Sequence, residues 1–431
     1  MTGGEGGNKL DLWLAVSVFL LVYAIIISDK IHRTVIAMLG AASIIVLGVI
    51  SQDNAFGSID FNTIGLLIGM MIIVGITRQS GIFEFLAIKS AKLAGGKPLA
   101  ILAIMALFTG LASALLDNVT TVLLVVPITY AICDRLAINV LPFLFAEILA
   151  SNIGGTATLI GDPPNIMIGS ATGLGFIDFL TNLTIPALLI LVVTIILLVL
   201  IYRHDLETTP DRIQNIIAMN EKQAIKDWGL LNRSLIVLGL TMVGFLLHQA
   251  LHLESATIAL LGASLLMLVS GEHPEEVLLN IEWPTIFFFA GLFILVGGLV
   301  ETGVIEWIAR QALLLTGGEL MQTGILVLWL SAIASAFVDN IPFVATMIPL
   351  LQTMGQMSSL PMEPTWWALS LGACLGGNGT LIGASANVVV AGIAEKYGDR
   401  ISFIDYLKIG FPMMLVSVLL SMVYLYLFFW R

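Results

Sequence analysis

Two Asp-Asn pairs set in apolar sequence carry the first chemical signal in this chain. Ser113-Ala-Leu-Leu-Asp-Asn-Val-Thr-Thr-Val-Leu-Leu-Val-Val-Pro127 holds Asp117, Asn118 and Thr120, and Ser335-Ala-Phe-Val-Asp-Asn-Ile-Pro-Phe-Val-Ala-Thr-Met-Ile-Pro349 holds Asp339 and Asn340. Matching positions lie 222 apart, as 117 does from 339. The same offset aligns Thr158-Leu-Ile-Gly-Asp-Pro-Pro-Asn165 with Thr380-Leu-Ile-Gly-Ala-Ser-Ala-Asn387 without a gap, so the chain is a duplication. A carboxyl at the centre of a bilayer costs about 3 kcal/mol on insertion scales. Asp117, Asp339, Asp162 and Glu147 therefore each need a compensating partner or a task, and carrying a proton is the task their chemistry suits. The bland alternative is a carboxyl that only pins a hairpin tip or a helix N-terminus. Two symmetry-related Asp-Asn tips, each facing a broken span, argue against it for Asp117 and Asp339. The case is weaker for Glu147, whose counterpart is Leu369, and intermediate for Asp162, whose counterpart is Ala384.

Around the aspartates stand glycines and amides. Gly154, Gly155 and Gly161, matched by Gly376, Gly377 and Gly383, would let unwound backbone aim carbonyls at a cation and half-helix N-termini at a substrate. Thr158 and Thr380 belong to the same stretches, and Asn152, Asn165, Asn378 and Asn387 add amide ligands. Glycines also serve close helix packing, so the breaks gain weight only from facing the Asp-Asn tips.

The elements that position these residues follow from composition. The 431 residues are 58% hydrophobic and 11% charged, and apolar runs of transmembrane length recur from end to end. The chain reads as an all-α polytopic membrane protein whose partner is the lipid bilayer. The net charge of -11 sits largely in loops and calls for no nucleic-acid partner, while two cysteines supply neither a disulfide framework nor a metal cluster. No cofactor is indicated. After the glycine-rich head comes a first apolar run, 12–28, which reads as a retained span.

Further spans fall near 34–50 and 61–78, followed by an interfacial piece at 82–94. A hairpin over 98–134 turns at Asp117-Asn118, a helix broken at mid-depth covers 141–170, and a last span covers 180–202. The charged stretch 203–233 reads as a cytoplasmic linker that tethers the halves without touching the site. The order then repeats in 234–431, with a hairpin over 320–355 and a broken helix over 365–392. The domain reading is thus 1–202, 203–233 and 234–431. Each half crosses five times if the hairpins are re-entrant, which makes the repeats inverted; full crossings would return to the same side and leave that parity unchanged. With the N-terminus outside, only Lys9, Arg310 and Arg431 of the 18 basic residues fall outside. This orientation predicts access to Asp117 from the cytoplasm and to Asp339 from outside.

The tip and break motifs resemble those of the ion-transporter superfamily that includes the arsenite permease ArsB, the melanosomal pink-eyed-dilution protein, NhaD sodium/proton antiporters and sodium-coupled dicarboxylate symporters. Ser113 to Thr121 and Gly154 to Asn165 look most like the ArsB and pink-eyed branch. The resemblance implies a scaffold, a mobile part holding both hairpins, elevator-type alternating access and a homodimer. The Ser-Asn-Thr tip of the dicarboxylate carriers corresponds here to Asp117-Asn118-Val119 and Asp339-Asn340-Ile341. Carboxylates at both tips make protons suitable coupling ions beside sodium, whose symporter sites do not carry over directly, and no Lys or Arg is evident in either site region to offset a multiply charged anion such as citrate or succinate. The expectation is a non-enzymatic secondary transporter in a prokaryotic-type plasma membrane, moving a small inorganic ion or neutral hydroxide. Its first form is arsenite or antimonite efflux against protons. Sodium/proton antiport and dicarboxylate or chloride transport are the alternatives, a channel or an intramembrane aspartyl protease the remote ones.

Overall fold

The computed structural model describes residues 9–28, 30–358 and 360–431, so the glycine-rich head lies outside the described residues. The first half runs α1 (Lys9–Ser28), α2 (Arg33–Val46), α3 (Gln52–Gly57), α4 (Phe61–Gln79), α5 (Ile82–Leu93), α6 (Pro98–Ser113), α7 (Asn118–Leu136), α8 (Leu141–Thr156), α9 (Pro163–Thr172) and α10 (Phe176–Tyr202). After α11 (Pro210–Ile217) come α12 (Trp228–Leu247), α13 (Ser255–Ser270), α14 (Pro274–Leu279), α15 (Trp283–Glu301), α16 (Val304–Thr316), α17 (Leu320–Phe337), α18 (Asn340–Met357), α19 (Glu363–Gly376), α20 (Ser385–Tyr397) and α21 (Phe403–Leu425). Every helix from α2 to α9 begins 222 residues before its counterpart among α13 to α20, so the duplication extends to helix starts. Among the described residues, α1, α4, α7, α10, α12, α15, α17 and α21 with its continuation are long and apolar enough to cross a membrane, while α2, α6 and α13 are shorter apolar helices.

Local chemistry explains the repeated boundaries. Gly81 and Gly303 hold φ of 84° and 76° and separate each long helix from the short one that follows. Such angles suit glycine because it lacks a Cβ. Asp117 and Asp339 cap α7 and α18 by accepting backbone N-H groups of Thr120 and Ile341, at 2.7 and 3.2 Å. The hairpin arms extend to Leu136 and Met357, slightly beyond the expected ends, and α10 begins four residues early at Phe176. There His248 accepts from the Phe176 N-H at 3.4 Å, so this histidine pins a helix start.

Packing separates two layers. In one, α4 lies against α13 and α2 against α15. A Cβ on Gly69 would come within 2.6 Å of the Ala259 backbone, and one on Gly291 within 2.8 Å of the Ala37 backbone, contacts that match under the 222 offset. Small residues let these backbones approach where lipid provides no hydrophobic drive. In the other layer α6 packs on α8 and α17 on α19, and the hairpins cross between halves, α7 against α20 and α18 against α9.

The connection between the halves departs from expectation. It is shorter, because α12 already begins at Trp228, and it is docked. Thr208 and Arg212 donate to the Leu136 carbonyl at 2.8 and 3.4 Å, and the Lys226 N-H donates to the Ser80 carbonyl at 2.9 Å. Lys92 pairs with Glu221 at 2.6 Å and holds its carboxyl below the usual range. Lys226 also lines a cavity of about 450 Å³ with Arg78, Glu84, Thr120 and Glu282, so the linker reaches a vestibule of the first hairpin. The physical reason is Gly81, where the Ala224 carbonyl would lie 1.9 Å from any Cβ.

Candidate functional site

Each hairpin is stitched to the broken helix of its own half by the same bonds. Ser113 and Ser335 hydroxyls donate to the carbonyls of Ser151 and Ala373, at 2.7 and 2.6 Å. Thr158 donates to the Ala114 carbonyl at 2.5 Å, and Thr380 to that of Ala336. Asn165 closes the first break by donating to the carbonyls of Thr156 and Thr158, at 3.1 and 2.8 Å, and Asn387 closes the second through Gly377 and Thr380, at 2.7 and 2.9 Å. The carbonyls expected to face a cation are therefore engaged by amides in this arrangement.

The glycines act as close contacts. A Cβ on Gly154 would lie 2.0 Å from the Gly110 carbonyl oxygen, and one on Gly376 would lie 2.5 Å from that of Ala332. Gly155 and Gly161 face each other across the first break, as Gly377 and Gly383 do across the second, with no room for a side chain at Gly155, Gly161 or Gly383 and little at Gly377. None of these six has a positive φ. Their use is tight packing of hairpin on break.

A chain of amides joins the halves. Asn118 Nδ2 donates to Asn152 Oδ1 at 3.0 Å, and Asn152 Nδ2 donates to Asn378 Oδ1 and Asn387 Oδ1, both at 2.9 Å. Ser370 donates to Asn165 Oδ1 at 2.6 Å. Asn340 crosses to the other half, its Nδ2 lying 3.3 Å from both oxygens of Asp162. All of these amides are buried, so each is satisfied by protein groups in place of water. They hold the centre together.

Both tips and Asp162 then meet at one small cavity of about 30 Å³, lined by Asp117, Asn118, Asp162 and Asn340 and completed by Arg33, Glu282, Thr285 and Ser385. That volume holds about one water molecule. The two aspartates differ in their bonding. Asp117 accepts from the Thr120 N-H and hydroxyl, so it does pin its helix while facing the cavity. Asp339 Oδ2 instead takes Arg33 Nη1 at 2.5 Å and the Ser385 hydroxyl at 2.8 Å. Glu147 is not brought in. It is fully buried on α8, accepts from Thr129, and leaves Oε2 without a partner among the described residues.

Two expectations are corrected here. A cation does stand in the site, because the α1–α2 connection brings Arg33 to the second tip from a remote part of the sequence. Asp339 opens toward that connection, into a cavity of about 290 Å³ beside His32, Ile26 and Ile27, and not toward the opposite end of the molecule. Its hairpin reaches far enough to meet the first turn of α2. Sequence reasoning also missed Glu282 and Thr285, although the 222 offset matches them to Asp60 and Thr63, and Thr63 donates to Asp60 at 2.5 Å as Thr285 does to Glu282 at 3.2 Å. For Arg33 the duplication holds no signal, since its counterpart is Ser255.

Residues 23–372 match the family model described as citrate transporter. The chain belongs to this family. An uncharacterized transporter of Mycobacterium tuberculosis (strain H37Rv) is 48% identical over 420 residues, covering 96% of this chain and 98% of that protein. The P protein of Homo sapiens is 37% identical over 505 aligned residues, covering 98% of this chain and 60% of that protein. Among solved structures, the Alcanivorax borkumensis YdaH transporter has a TM-score of 0.61 at 14% identity, with 98% and 97% of the two chains covered. The Neisseria gonorrhoeae MtrF structure has a TM-score of 0.61 at 12% identity, with 99% and 95% covered. Family membership makes the chain an integral membrane transporter of the kind that includes the P protein, and the two structures share its fold.

Proposed function

We propose that the chain is a proton-coupled secondary transporter whose solute and proton share the small cavity between the hairpin tips. The observation that carries this is the meeting of Asp117, Asp162 and the Asn340 amide of the other half, with Arg33 and Glu282, around one small cavity. Three carboxyls facing one guanidinium cannot all stay charged at low cost in a membrane interior, and taking up a proton relieves that excess. The hairpins and broken helices, stitched to each other, form the moving part against the frame of α2, α4, α13 and α15, in an elevator-type exchange between inverted repeats. Helix order places the two larger cavities, beside His32 and beside Arg78, at the same end of the frame, so this arrangement is open toward the cytoplasm in the N-terminus-outside orientation. Cysteines introduced at Lys97 and Arg135 should label from the cytoplasm; labelling of both from outside would reverse the orientation.

Two solute classes remain in contention. An uncharged hydroxide such as arsenous acid or its antimony analogue fits the excess of carboxyls, as in ArsB-type efflux. A small anion is favoured by Arg33, which supplies the cation that a charged solute such as citrate or succinate needs, and by the family description. The deciding experiment uses purified protein in liposomes with an internal pH dye, challenged in turn with sodium, arsenite, antimonite, citrate and chloride. Solute-dependent proton movement in the presence of protein is expected. Solute flux that no proton gradient can drive uphill would make the protein a passive channel.

A further inference from the structure

The guanidinium of Arg33 has donors that the fold does not use. It sits on the first turn of α2 with Cζ 5.0 Å from the centre of the Phe288 ring on α15, a stacking that fixes its plane and leaves its edge available. At that edge only Nη1 is engaged, donating to Asp339 Oδ2 at 2.5 Å and to Ser385 Oγ at 2.7 Å. Nε and Nη2 have no protein acceptor among the described residues. Arg33 and Ser385 line both the small central cavity and the 290 Å³ cavity, so the ion pair with Asp339 stands as the partition between them. The larger cavity is otherwise walled by apolar side chains, among them Ile26, Phe337, Ile382 and Val388. Its volume lies at the lower end of the range for small-molecule sites. On the far side of the partition stand Asp117, Asp162 and Glu282, which repel an anion that has not brought a proton; His32 stands on the near side.

Resting on the transport reading above, we infer that Arg33 is the anion-recognition residue of this site. A carboxylate or similar oxyanion on a small organic solute enters the larger cavity, takes two hydrogen bonds from Nε and Nη2, and competes with Asp339 for the guanidinium. Planar, bidentate recognition of this kind is what distinguishes Arg from Lys. Asp339 is then the internal counter-anion that occupies the guanidinium when no solute is present. The consequence is a pair of effects of opposite sign. Removing the arginine weakens anion binding, and neutralising Asp339 strengthens it because the competitor is gone. An ion pair with a purely architectural role predicts that both changes disturb the site in the same direction.

The test is equilibrium binding of citrate, succinate and inorganic phosphate to the purified full chain, with arsenous acid as uncharged comparator, in wild type, Arg33→Gln, Arg33→Lys and Asp339→Asn. Arg33→Gln should weaken the best-bound anion roughly 10- to 100-fold, the worth of charge-assisted hydrogen bonds lost. Arg33→Lys should recover part of the loss, and Asp339→Asn should bind the same anion more tightly than wild type. Monodisperse elution checks that each variant folds; should Arg33→Gln fail, the lysine and asparagine variants carry the comparison. Unchanged anion affinity without the arginine, weaker anion binding in Asp339→Asn, or a wild type that binds none of the three anions would each overturn the assignment. The last outcome, together with proton-coupled arsenite movement in liposomes, would leave the transport reading standing and remove only the role of Arg33.

Discussion

Asp117→Asn should strongly reduce solute-driven proton movement while the protein still inserts and elutes as a folded species. Asparagine caps helices as well as aspartate does, so the bond from the Thr120 N-H that starts α7 persists in the variant. What disappears is the capacity to exchange a proton at the cavity shared by both hairpin tips. The loss in coupled rate should be on the order of 100-fold, the lower end of what a positioned proton-transferring side chain contributes. Any residual flux should show a flat pH dependence. Asp339→Asn should also uncouple, though less completely, because Asp162 remains on its side of the cavity through Asn340. Wild-type rates and pH profile in both variants would reduce the aspartates to helix caps.

The second large effect is structural. Gly154→Ala should drive the first hairpin off its broken helix, because the new Cβ would stand 2.0 Å from the Gly110 carbonyl oxygen and 2.6 Å from the Gly110 backbone. Backbone cannot swing aside as a flexible side chain can. The cost should reach the upper end of the ~1–3 kcal/mol typical of overpacking, or exceed it. The same methyl at Gly392, which meets nothing within 4 Å, should be tolerated and serves as control. Thermal unfolding in detergent, compared between the two variants, is the measurement. Equal midpoints would mean that α6 and α8 are not packed as described.

Much of this protein was legible in its residues because a membrane restricts what a chain can do. Backbone groups in lipid must bond within the segment, so apolar length reads directly as helix, and the duplication could be followed residue by residue at an offset of 222. That arithmetic located both tips and both breaks, while the short helices α3 and α14, whose starts obey the same offset, were read in neither half. It also indicated which positions would be unequal, such as Asp162 against Ala384, since asymmetry inside a repeat is visible without coordinates.

What the offset could not reveal was contact between remote segments. Arg33 lies 306 positions from Asp339 and has Ser255 as its counterpart, so neither neighbourhood nor symmetry pointed to their bond. The docking of Lys226 on Ser80 depends on the open backbone face at Gly81, a feature of φ and not of composition. The roles of the six site glycines were likewise undetermined, because a glycine that bends and a glycine that admits a neighbour are the same letter. Only the positions of the facing backbone, such as the Gly110 and Ala332 carbonyls at Gly154 and Gly376, decided between them. Local sequence thus determined the elements and their pairing by descent, while the charge balance of the cavity was decided by the tertiary packing that carries a cation on the first turn of α2 to a half-buried carboxylate.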